Sequence, residues 1–95
     1  MKYFALIYHV AEDYIVRRTQ FRAEHLRLAG ELADRGELVL GGALTEPNDM
    51  ALLIFRTADR SVIERFVHRD PYYLHGLVLR WEIREWNVVT GSAMQ

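Results

Sequence analysis

The sequence has no cysteine, so disulfide staples, thiol nucleophiles and thiolate metal sites are excluded. Proline is scarce: Pro47 and Pro71 are the two in 95 residues, and both fall where an element is expected to end. Neither sign of charge dominates, since 12 Lys and Arg stand against 13 Asp and Glu for a net charge of −1, with no block of like charges. That balance argues against a nucleic-acid partner, whose binding depends on neutralising phosphates. Long apolar runs are absent too. The longest near the start, residues 3–8, is too short to cross a bilayer or to form the core of a signal peptide, and no small-residue cleavage site follows it. The expectation is a cytoplasmic protein with no membrane partner. Repeats, low-complexity stretches and Pro/Gly-rich linkers are also missing, which predicts a single domain over 1–95.

What is present is hydrophobic side chain: 51% of the residues, more than a chain of this length needs. Residues 2–9 (KYFALIYH) read as a strand, rich in aromatic and β-branched types. Asp13 is placed to cap a long helix over 14–35, which Gly36 stops. A hairpin follows, with strands at 37–44 and 50–56 around the turn TEPND. Asp59 or Ser61 caps a second helix, Ser61 and Glu64 standing at capping-box spacing, and the helix ends at Asp70 because Pro71 disfavours helical geometry before it. After a turn at PYYLHG, Leu77, Leu79, Trp81 and Ile83 alternate with Val78, Arg80, Glu82 and Arg84, a final strand with one wet side. The order βαββαβ predicts an α+β, ferredoxin-like fold: a four-stranded antiparallel sheet with two helices on one face.

The first and third strands are apolar on both sides. Phe4, Leu6 and Tyr8 oppose Tyr3, Ala5 and Ile7, and Leu52 and Ile54 oppose Ala51, Leu53 and Phe55. Roughly six apolar side chains therefore look away from the helices. At about 1.5–3 kcal/mol each, leaving them wet forgoes on the order of 10 kcal/mol, comparable with the whole stability of a small domain. With no spare element to cover them, the simplest cover is a second copy, giving a homodimer or higher oligomer built as a dimeric α+β barrel.

On a helical wheel Tyr14, Ile15, Phe21, Leu26, Leu28, Ala29, Leu32 and Ala33 share one broad arc, and Arg18, Arg22 and His25 fall inside it. Cations turned inward require an anion. Asp70 supplies one, because it continues the 62, 66, 70 spacing of the second helix's apolar face, and the antiparallel helices bring that end toward His25. A carboxylate bound to one imidazole nitrogen fixes the tautomer and makes the other nitrogen more basic, as a general base requires. Arg22 and Arg18 are spaced to hold an anionic or enolic oxygen of a small-molecule ligand, and Tyr8 and Tyr72 to line the cleft. Each assignment has a structural counterpart: His25 and Asp70 as a satisfied core pair, Asp70 as a turn cap, the arginines as rim cations with buried stems, the tyrosines as core. His9, His68 and His75 have no metal-ligand spacing, so no metal site is expected. Gly41-Gly42 lacks the Lys and the following helix of a phosphate loop and reads as a kink or bulge in the second strand.

Three stretches, RAEHL (22–26), DRGELVLGGAL (34–44) and RDPYYLHGL (69–77), resemble the YciI-like family over nearly the whole chain. The resemblance implies small dimeric α+β barrels with a ferredoxin-like protomer. It also implies that an Arg-x-x-His and an Asp-Pro, here Arg22, His25, Asp70 and Pro71, form the active site proposed for the family. Where this chain has Gly42-Ala43, many members have Gly-Pro. One branch eliminates chloride from a chlorinated hydroxyhydroquinone, and barrel relatives include muconolactone isomerases. The resulting expectation is a cofactor-free lyase or isomerase-like enzyme, with His25 as base, Asp70 orienting it and Arg22 steadying negative charge. A dimeric small-molecule-binding module with a structural His25–Asp70 pair is the alternative, and a cofactor-free oxygenase a third.

Overall fold

Alternation of Phe4, Leu6, Tyr8 and Val10 with Tyr3, Ala5, Ile7 and His9 builds the first strand of the computed structural model, which describes residues 1–94. β1 (Lys2–Val10) buries the first set and half-buries the second. It pairs antiparallel with β3 (Met50–Thr57) on one side and β4 (Val78–Trp86) on the other, and β2 (Leu38–Ala43) completes the sheet in the order β2-β3-β1-β4. The two strands that are apolar on both sides are thus the central ones, as a buried position demands. Leu28, Ala29 and Leu32 of α2 (Arg22–Asp34) and Ile63, Phe66 and Val67 of α3 (Ser61–Arg69) join the inward residues of β1 and β3 in one core. The architecture is the expected α+β, ferredoxin-like one.

Local differences have identifiable causes. The expected helix over 14–35 is broken into α1 (Tyr14–Arg17), a 3₁₀ turn (Arg18–Gln20) and α2, with Phe21 at φ −113°, ψ 0° between them. β-branched Ile15, Val16 and Thr19 give this stretch low helix propensity, and the Thr19 hydroxyl donates to the Val16 carbonyl at 3.0 Å. The break splits the expected apolar arc, leaving Ile15 and Leu26 exposed. Asp13 makes no side-chain cap; it pairs with Arg17 at 3.6 Å instead. Gly36 does end α2, at φ 76°, with Glu37 N–H donating to the Leu32 carbonyl. The capping box on α3 does not form: Asp59 accepts from both the backbone N–H and the hydroxyl of Ser61. The turn expected at PYYLHG contains a short helix, α4 (Pro71–Leu74). On β4 the two sides exchange at one point. A register irregularity between His9 and Val10 turns Val78 inward and leaves Leu79 69% exposed, while Trp81 and Ile83 pack against the core.

Pairing of Ala5 with Ile54, Ile7 with Leu52 and Leu40 with Ile54 aligns these side chains on the sheet face away from the helices. Leu40 is 69% exposed there, and β4 adds Arg80, Glu82 and Arg84 at the polar border. Among the described residues no helix is long and apolar enough to cross a membrane.

Candidate active site

Asp70 leaves α3 with extended geometry (φ −69°, ψ 119°), the conformation that a following proline favours. Pro71, whose missing N–H costs nothing at the first helical position, then starts α4, and the Asp70 carboxylate caps it by accepting from Tyr72 N–H at 3.0 Å. The same carboxylate has no solvent exposure. Its Oδ1 stands 2.8 Å from His25 Nδ1, and its Oδ2 accepts from the Tyr8 hydroxyl at 2.8 Å. Three donors from β1, α2 and α4 therefore converge on one buried anion, which is how a buried carboxylate is made tolerable.

Such a carboxylate only accepts, so Nδ1 of His25 carries a proton and the lone pair of the neutral ring lies on Nε2, which makes no hydrogen bond among the described residues. Packing fixes the ring as well. Tyr72 stacks on it with centroids 3.9 Å apart and 9° between planes, and Phe66 meets it edge-on at 6.0 Å. Burial, then the charge of Asp70 and the hydrogen bond to it, push the Tyr8 phenol far above the ordinary tyrosine range, so Tyr8 stays a donor. Burial also raises the Tyr72 phenol, helped by Tyr14 and opposed by the charges of Arg22 and Arg18.

Tyr8, Arg18, Arg22, His25 and Tyr72 all line one cavity of about 300 Å³ between α2 and the β2–β3 side of the sheet, with Asp70 directly behind its wall. Five of the six residues singled out from sequence thus surround one space and the sixth anchors it. Tyr8 differs from the rest, because its hydroxyl points to Asp70 and not to a ligand. Arg18 lies over the Tyr14 ring, 5.4 Å from its centroid, and neither the Arg18 nor the Arg22 guanidinium has an ion pair or hydrogen bond among the described residues. Tyr14 was legible only as an apolar helix position. It meets Tyr72 edge-on at 5.6 Å and forms part of the wall. The Gly41-Gly42 pair also borders the cavity, and the irregularity of β2 falls before it, between Leu38 and Leu40. His9, His68 and His75 lie outside; His75 stacks on Phe21 at 4.3 Å and His68 meets Tyr73 and Trp81 edge-on. Among the described residues no three His, Asp or Glu side chains gather as metal ligands.

Comparison with known proteins adds the lineage. The family model of the YCII-related domain matches residues 1–87. The fold is similar to that of 5-chloro-2-hydroxyhydroquinone dehydrochlorinase from Burkholderia phenoliruptrix AC1100, solved in complex with 2,5-dihydroxybenzoquinone. The TM-score is 0.76 and the identity 18%, over 92% of this chain and 95% of that one. It is also similar to protein Atu4242 from Agrobacterium tumefaciens, with a TM-score of 0.61 and 16% identity over 94% of each chain. No curated protein matches the sequence.

Proposed function

Because the chain belongs to the YCII-related family, we propose that it is a small enzyme that moves a proton on an aromatic or enolic substrate, with His25 as the base. The observation that carries this reading is the 2.8 Å contact of His25 Nδ1 with buried Asp70, which leaves Nε2 as the accepting atom on the wall of a cavity. Nε2 takes a proton from a carbon next to a carbonyl or quinoid oxygen, the C–H bond breaks, and its electron pair moves onto that oxygen. Arg22, with Arg18 beyond it, meets the charge that develops there. Collapse of the enolate then either expels an anion from the neighbouring carbon or takes the proton back at another carbon. Elimination and isomerisation share the first step, and the dehydrochlorinase of similar fold is by its name an example of the former. Asp70 and Tyr8 act as positioning residues: Tyr8 holds the carboxylate and the carboxylate holds the ring.

The homodimer belongs to the same proposal, since a second copy would cover exposed Leu40 and the half-buried Ile7 and Leu52 on the outer sheet face.

A second reading has its own observation. Asp70 also caps α4, so the contact with His25 is compatible with a purely structural role in a binding module. His25→Gln separates the two. In a screen of enolisable, lactone and halogenated phenolic compounds, a general base predicts a folded variant whose turnover falls about 100-fold or more, because an amide takes up no proton. Full activity of His25→Gln on any compound that the wild type converts excludes His25 as the base.

A further inference from the structure

The cavity changes character along its length. Its wall on α2 follows one stripe of the helix, with Arg22, His25, Gly30 and Ala33 among its members. At 1.5 Å per residue this stripe runs about 16 Å from Arg22 to Ala33. The Arg22 end is cationic, with Arg18 beside it and both guanidinium groups unpaired among the described residues. Tyr72 stands at that end, within the field of both arginines, 1% exposed and with a buried hydroxyl that has no partner among the described residues. Beyond His25 the wall carries no charge: Ala29, Gly30 and Ala33 face Leu53 and Gly41 of the sheet. Nothing lies within 4 Å of the place where a Cβ on Gly30 would stand, so the space above it is open.

We infer that this cavity takes an amphipathic anion. Its acidic oxygens lie toward Arg18, Arg22 and the Tyr72 hydroxyl, and an apolar chain or ring runs past His25 over Gly30 toward Ala33. The Tyr72 hydroxyl, buried without a partner among the described residues and within the field of both arginines, can donate to an acidic oxygen held there. The apolar end gains by excluding water from a chain laid along it. The inference rests on the proposed function only for setting the reacting carbon at His25; the division into a cationic and an apolar end stands without it.

Calorimetric titration with acetate, butyrate, hexanoate and octanoate, and with hexanol as the uncharged counterpart, tests this. Affinity is expected to rise about fourfold per methylene. Hexanoate binds more tightly than hexanol. Arg22→Ala weakens every acid by about tenfold or more. Gly30→Leu, a favourable change for a helix interior, flattens the rise with chain length. Circular dichroism verifies the fold of each variant. Failure of octanoate to bind, affinity independent of chain length, hexanol matching hexanoate, or a rise that survives Gly30→Leu would each overturn the inference. A rise abolished by Gly30→Leu together with a fully active His25→Gln retains the amphipathic site and removes the base. Turnover dependent on His25 with a flat chain-length series does the reverse.

Discussion

Replacing Tyr8 by Phe keeps the ring that packs inside the sheet and removes one hydroxyl. That hydroxyl donates at 2.8 Å to Asp70 Oδ2, and Tyr8 and Asp70 are 1% and 0% exposed, so neither finds water when the bond is lost. A hydrogen bond to a charged group contributes about 1.5–3 kcal/mol, which places the expected loss near 2 kcal/mol. In urea, with a slope of about 1–3 kcal/mol per molar, the unfolding midpoint falls by about 1 M at pH 9. Alkaline pH provides a second, independent reading of the same contact. The folded Tyr8 phenol lies well above its unfolded value near 10, so the folded state keeps the neutral form after the unfolded chain has ionised. Stability from this source is complete below pH about 10 and is lost above it at about 1.4 kcal/mol per pH unit. Phe has no proton to lose. The gap between wild type and Tyr8→Phe should therefore shrink from about 2 kcal/mol at pH 9 to about 0.6 kcal/mol at pH 11. Tyr72, also raised, is present in both proteins and cancels in the difference. A gap that stays constant from pH 9 to pH 11, or coincident midpoints at pH 9, would refute the clamp.

Two further outcomes follow from the same contacts. Asp70→Ala strands the Tyr8 hydroxyl, His25 Nδ1–H and Tyr72 N–H together, for an expected loss of about 3–5 kcal/mol in denaturant titration; a loss below about 1 kcal/mol would mean that the carboxylate is not their common acceptor. In sedimentation equilibrium at micromolar concentration the wild type should report twice its chain mass and Ile7→Glu the single chain, whereas a stable wild-type monomer would show that the outer sheet face needs no partner.

Much of this geometry was legible in the sequence because it depends on periodicity. Tyr8 and Phe4 could be assigned to one side of a strand, and Asp70 to the inner face of the second helix, by counting twos and fours. Asp-Pro carried two meanings, the end of one helix and the cap of the next, and both occur. The helix break at Phe21 was not legible, since no Gly or Pro marks it and the cause is the summed weakness of β-branched residues against a 3₁₀ turn. Leu79 misled for a different reason. Its alternation is regular, but the irregularity opposite it depends on how two strands meet and leaves no local trace. The bond from Tyr8 to Asp70, 62 residues apart, lies beyond periodicity altogether: the pattern gave each its face and could not pair them.

That long separation also governs when the site comes into being. His25 and Tyr8 are translated 45 and 62 residues ahead of the carboxylate that holds them both. While a nascent chain still has Asp70 inside the ribosome, its future site consists of an untethered imidazole and an untethered phenol. Once Asp70 and, after it, β4 have emerged, the first strand, the main helix and the second half of the chain close together around the carboxylate. Competence of the site and completion of the tertiary fold are then one transition, so on heating the site and the fold should fail at one temperature, with no partly folded species that retains the site.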